Sequence, residues 1–254
     1  MEYKETGPMG PWVELLKSVI KRPAFTYSGV RKLVRHVEWT IDEFPPLTYE
    51  SLGYKKNKIK QMERNYYNEQ EFARVRAVLN GRSAQKNTSV ALLMRGKEKD
   101  SRSQGWCLLD IIVTRMKGFE EVDINYRSTE LTLKFGADLV FIPWVLEQIG
   151  AKPQKIHFHI TNAYFSGVFL PTLAQYWDYR EMIDFLAKYD PWLFERGTRF
   201  FLRSTMDKNQ RFRYSPENQQ HKMAWERLPM KKINAILLPM HKAIGKPLPT
   251  PSDF

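Results

Sequence analysis

The 254-residue chain has one cysteine, Cys107, so no disulfide can form within it and a disulfide-stapled scaffold is excluded. Long apolar runs are missing as well. The uncharged stretch Leu139 to Leu146 falls far short of the roughly 20 residues a bilayer span needs. The segment Met1 to Pro11 carries no apolar signal core, so a cytoplasmic protein without a membrane partner is expected. With 13 Gly and 15 Pro the chain is too poor in both for a collagen-like or low-complexity class. Acidic residues are also scarce, 28 against 40 Lys plus Arg, which leaves a net charge of +12. Such a surplus attracts phosphate without choosing between nucleic acid and free nucleotide.

What remains is a composition able to bury a core. Val30, Leu33, Val34, Val37, Ile41 and Phe44 recur at steps of three and four, which predicts an amphipathic helix over Ser28 to Phe44, ended by Pro45 and Pro46. A basic run from Lys55 to Arg64 follows and leads into a predicted helix over Glu69 to Leu79; the run reads first as a solvated face. Ser89 to Met94, Gly105 to Thr114, Glu120 to Tyr126 and Lys155 to Tyr164 are β-branched or aromatic runs of strand length. Helices are predicted over Ala137 to Ile149, closed by Gly150, and after Pro171. A strand over Thr198 to Ser204 and a helix over Met230 to Ile244 complete the reading. Long helices in front of mixed strands and helices predict an α+β fold in a single domain over residues 1–254, with a variable C-terminal region from about residue 205.

The residues able to carry chemistry cluster after Cys107. Arg127 and Ser128 lie twenty positions on, and a strand, a turn at Met116 to Gly118 and a returning strand would bring them back to the thiol. A guanidinium can grip phosphate with two parallel bonds, a hydroxyl can add a third, and a neighbouring cation favours thiolate over thiol. Asp138 sits eleven residues past Arg127, where a loop is expected to enter a helix, and Tyr164 follows in Asn162-Ala163-Tyr164. Each has a plainer reading. Cys107 can be a packed apolar side chain, Arg127 an ion-pair partner and Asp138 a helix cap. His157 and His159 share a strand face, yet no cysteine or carboxylate stands at metal-ligand spacing beside them, and no metal is expected.

This pattern resembles the thymidylate synthase family, in particular its branch of phage dCMP hydroxymethylases. The resemblance rests on the cysteine strand, Arg-Ser twenty positions later, the acid Glu130 three after the arginine, an acid eleven after it, and the distal tyrosine. It implies a thymidylate synthase-like mixed sheet packed with helices, a homodimer, and a pyrimidine nucleoside monophosphate as substrate. Arg127 and Ser128 would hold the phosphate, with Lys86 as the only charge at the place of the paired arginines that the family lends across its dimer. Tyr164 and Asn162 would bind the ribose, Cys107 would add to C6 of the ring, and Glu130 would lie toward 5,10-methylenetetrahydrofolate as one-carbon donor. Asp138 takes the place of an asparagine in the dUMP enzymes. A carboxyl complements the N3 and amino group of cytosine, so dCMP and a hydroxymethyl product are expected. His36 in His36-Val37-Glu38-Trp39 stands where the family keeps a proton-managing glutamate, and as a helix residue it would be separated in direction from Glu38. Ile112 replaces a glutamine, and a folate pocket is not recognisable. A competing expectation is a catalytically drifted relative that binds nucleic acid through the Lys55 to Arg64 and Arg199 to Arg213 regions. Action on a base within a polynucleotide, which would need access to an unstacked base, is the third.

Overall fold

The computed structural model describes residues 10–28, 31–52, 54, 58–81, 87–94, 107–167, 173 and 176–196. The strand expected over Thr198 to Ser204, the helix over Met230 to Ile244, the variable C-terminal region, the Arg199 to Arg213 region and Lys86 lie outside the described residues. The fold is mixed α and β. Helix α1 (Gly10–Lys21) precedes strands β1 (Thr26–Ser28) and β2 (Arg31–Ile41), then helices α2 (Lys58–Tyr66) and α3 (Glu69–Asn80). Strands β3 (Thr88–Leu93), β4 (Leu108–Met116) and β5 (Phe119–Glu130) come next, followed by helix α4 (Lys134–Ile149), strand β6 (Lys155–Ser166) and helix α5 (Tyr179–Tyr189). The strands form one six-stranded sheet in the order β1-β2-β6-β5-β4-β3.

Neighbouring β3, β4 and β5 are antiparallel, with Val90 opposite Val113 and Val113 opposite Val122. A two-residue turn, Lys117-Gly118, joins β4 to β5, and Gly118 takes φ 78, a conformation glycine adopts without a Cβ penalty. Beginnings meet beginnings across β5 and β6, since the N–H of Gln154 donates to the Glu120 carbonyl and that of Leu131 to the Tyr164 carbonyl. The pair is therefore parallel, and α4 makes the crossover such a connection requires. β2 runs the other way: Thr40 bonds His157 and Asp42 pairs with Lys155.

The chain divides into two compact units, one drawn from residues up to 34, 130–133 and 164 onward, the other from 35–129 and 134–163. In the first, α1 buries Trp12, Leu15, Leu16, Val19 and Ile20 and packs against α5, while the Trp12 indole donates to the Leu131 carbonyl at 3.0 Å. Lys32 and Asp190 form a buried ion pair at 2.8 Å, completed by the Ile20 carbonyl and the Tyr27 hydroxyl. In the second, inward residues alternate along the strands as Val122, Ile124 and Tyr126 on β5 and Ile156, Phe158 and Ile160 on β6. Phe135 of α4 packs on Tyr126 and Phe158, and Leu139, Ile142 and Leu146 of the same helix are buried; burial of each large apolar side chain contributes roughly 1.5–3 kcal/mol. Asn68 caps α3 by accepting from Gln70 and Glu71, and Gly150 ends α4 at φ 74.

The helix expected over Ser28 to Phe44 is instead strand β2. Val34 and Val37 are both buried, as a helix would have them, yet the cause is a break in a strand's alternation. His36 adopts φ 53, a left-handed value, and the buried set moves from Lys32 and Val34 to Val37 and Ile41. One extra residue thus imitates a helical step of three. Elsewhere α4 begins at Lys134, before Ala137, and of the helix expected after Pro171, Leu173 is helical and α5 runs from Tyr179. Among the described residues no helix is long and apolar enough to cross a membrane.

Candidate functional site

Cys107 stands just before β4, exposed, with its carbonyl accepting the main-chain N–H of Arg127 at 2.9 Å. Its sulfur lies 3.6 Å from the Ser128 hydroxyl. The local cause is a β-bulge. Pairing runs evenly from Met116 with Phe119 to Asp110 with Asn125, then shifts so that Leu108 faces Tyr126. Leu109 is the surplus residue and is exposed. Without it, the register would carry Cys107 to Ser128; with it, Arg127 stands opposite the cysteine. An unbulged two-residue hairpin pairs only positions an odd number apart, so an interval of twenty needs such an insertion. Asn162, on the neighbouring β6, donates its side-chain amide to the Arg127 carbonyl at 3.2 Å and ties the third strand to this point.

Behind the cysteine is a buried polar cluster. Asp138 lies in the second turn of α4, inside the helix and not at its entrance as expected, so it is not the helix cap. It is 9% exposed, and burial pushes its carboxyl up to about 7; the charge of Lys58, the Tyr126 hydroxyl and the charge of Lys134 pull the other way. Tyr126 follows on β5, with its ring edge-on to Phe135 at 5.8 Å and its buried hydroxyl facing Asp138 without completing a hydrogen bond. Tyr49 is likewise enclosed and unpartnered at its hydroxyl, with Asp138 the leading charge near it. Tyr66, the last residue of α2, bridges the two groups: its oxygen meets the N–H groups of Cys107 and Leu108 while it feels the charge of Asp138. Burial raises all three phenols well above the ordinary tyrosine value, and the nearby carboxyl adds to it. Burial lowers the Lys58 ammonium, an effect Asp138 opposes.

No protein-family model matches the chain, and no curated protein matches it significantly. The site therefore has to be read from its own geometry.

Cys107, Arg127, Ser128, Asn162 and Asp138 are thus drawn into one neighbourhood of the second unit, linked through Tyr66 and Tyr126. The tyrosines and Lys58 were missed from the sequence. Tyr126, adjacent to Arg127 on a strand, was open to the simple alternation argument that a residue beside an outward one points inward. Tyr49 and Lys58 come from a loop and a short helix with no spacing signal.

His36 is exposed on β2, and Glu38 is exposed with it, as positions two apart on a strand are and as the expected helix would not have placed them. Glu130 is in the first unit, where its buried carboxylate accepts the N–H groups of Thr132 and Leu133 and the Thr132 hydroxyl. That carboxylate holds the turn from Glu130 to Leu133. Tyr164 is half-buried in the first unit, with its carbonyl accepting from Leu131. His157 and His159 are engaged with Thr40 and Asp123, and among the described residues no group of three or more metal-ligating side chains comes together. Within the basic run, the Lys58 ammonium donates to Gln61 at 3.1 Å and lies over the Tyr54 ring while feeling the charge of Asp138, and Lys60 and Arg64 are exposed.

Proposed function

We propose that the second unit binds a pyrimidine nucleoside monophosphate and acts on its C5 position as a one-carbon transferase, with dCMP as substrate and a hydroxymethyl group as the transferred unit. The observation that carries this is the bulged β4–β5 register, which sets a lone thiol against Arg-Ser while the residue between them and the strand interior, Tyr126, reaches a buried carboxyl. The thiolate of Cys107 adds to C6 of the ring. Its electron pair forms the C–S bond, and the displaced ring electrons make C5 nucleophilic. C5 then attacks a carbon at the formaldehyde oxidation level, whose π pair moves to its heteroatom; the C5 hydrogen leaves as a proton to solvent, its electron pair re-forms the C5–C6 double bond, and the C–S bond breaks to release the thiolate, with water replacing the heteroatom as hydroxyl where that atom is a donor's nitrogen. Arg127 and Ser128 hold the phosphate at the outer end, and Asn162 fixes the strand that carries them.

Asp138 reads the base. At neutral pH its raised value leaves a substantial fraction as the uncharged acid, which offers one donor and one acceptor, the complement of cytosine N3 and its amino group. The thymidylate synthase resemblance calls for methylenetetrahydrofolate as donor and a homodimer. Because the Glu130 carboxylate accepts from Thr132 and Leu133, no role toward that donor is proposed for it. The decisive assay is release of tritium from C5-labelled dCMP and dUMP, with and without methylenetetrahydrofolate, against Cys107→Ala. Release from dCMP that the variant abolishes is expected; no release from either nucleotide rejects the chemistry.

A further inference from the structure

A neutral carboxylic acid can present its two oxygens in either order. With its O–H toward N3 of a pyrimidine and its carbonyl toward position 4, it matches cytosine. In the reverse order it accepts from the N3–H of uracil and donates to O4. Residue type at 138 therefore does not select the base by itself; the oxygen that bears the proton does.

We propose that Tyr126 is the positioning residue that makes this selection, its phenol donating to one oxygen of Asp138 so that this oxygen becomes the carbonyl and the acid proton is confined to the other. The inference rests on the pyrimidine reading above. Tyr126 is 1% exposed, paired through β5 to Leu108, and packed on Phe135, which itself lies in a cluster with Trp39 and Phe158. Its buried hydroxyl faces Asp138 and completes no hydrogen bond in the structure, so it is available to that carboxyl. Burial keeps the phenol protonated, so it acts as a donor toward the carboxyl. The remaining groups that bear on Asp138 are Lys58 and Tyr66 of α2, Tyr49 of the preceding loop, and Lys134 of its own helix. Tyr49 is also unpartnered, but it rises from a loop, whereas Tyr126 is fixed on a paired strand.

The test is equilibrium binding of dCMP and dUMP from about pH 6 to about pH 9 by wild type and Tyr126→Phe. The variant is expected to bind dUMP more tightly and to narrow the preference for dCMP about tenfold. Its loss of dCMP binding at high pH should also move upward, because the phenol's bond favours the ionised carboxyl. If Tyr126 only supports the fold, both nucleotides weaken together and the pH limb stays in place, which overturns the proposal. Wild type that binds neither nucleotide rejects the pyrimidine reading and this proposal with it; an unchanged ratio alongside normal wild-type binding rejects this proposal alone. Should the Phe variant not fold, 3-fluorotyrosine at position 126 keeps the shape and strengthens the donor. It should move the limb downward, and an unmoved limb again overturns the assignment.

Discussion

Replacing Asp138 by asparagine tests the buried cluster without any ligand. Burial holds the carboxyl at about 7 in the folded protein against an ordinary value of 3.8, so between these values the folded chain keeps a proton that the unfolded chain has released. Stability therefore falls as pH rises through that window and is greatest below it. A gap of that size is worth roughly 4 kcal/mol in full, of which about 3 kcal/mol separates pH 4.5 from pH 8. An asparagine side chain has a similar shape and no charge to bury, so the Asp138→Asn variant lacks that slope. Urea unfolding of both proteins across this range should give curves that diverge with rising pH, the variant gaining about 3 kcal/mol on wild type by pH 8. Other carboxylates titrate in both proteins and cancel in the difference. Parallel curves would refute the claim that Asp138 is desolvated without a full counter-charge.

Three further outcomes are expected. Lys32→Met strands Asp190 in the core of the first unit and should cost about 3–5 kcal/mol in urea unfolding, with Lys32→Met/Asp190→Asn recovering part of it. Gly150→Ala forces a side chain into φ 74 at the end of α4, where its added Cβ meets only Asn80 at 4.0 Å, so conformation alone should cost about 1 kcal/mol in thermal or urea unfolding. Arg127→Ala should weaken dCMP at least tenfold while weakening the nucleoside deoxycytidine far less in calorimetric titration, as the proposed phosphate contact requires.

Strands β3 to β6 and α3 were legible because alternation, capping and turn residues agree locally, as at Asn68 and at Gly118. β2 was misread because one residue in the left-handed region shifts its buried face, and a sequence window cannot distinguish that from helical periodicity. The pairing of Cys107 with Arg127 and Ser128 was legible from chain distance and one turn. The interior of the site was not, since Tyr49, Tyr66 and Lys58 reach Asp138 from a loop and a helix that no short-range pattern connects to α4. Asp138 was legible as a residue but not in its setting: its helix starts at Lys134, ahead of the expected Ala137, so the carboxyl lies inside the helix and not at its entrance. Glu130 matched a spacing, yet its carboxylate is committed to its own chain.

The surplus residue at Leu109 makes strand length itself a functional property. Substitutions there leave the hairpin's parity intact, whereas loss of a single residue would slide the thiol by one rung and exchange a cation for a hydroxyl as its cross-strand neighbour. The segment should therefore drift freely in side chain and hardly at all in residue count, a constraint visible to an insertion-and-deletion scan and invisible to an alanine scan.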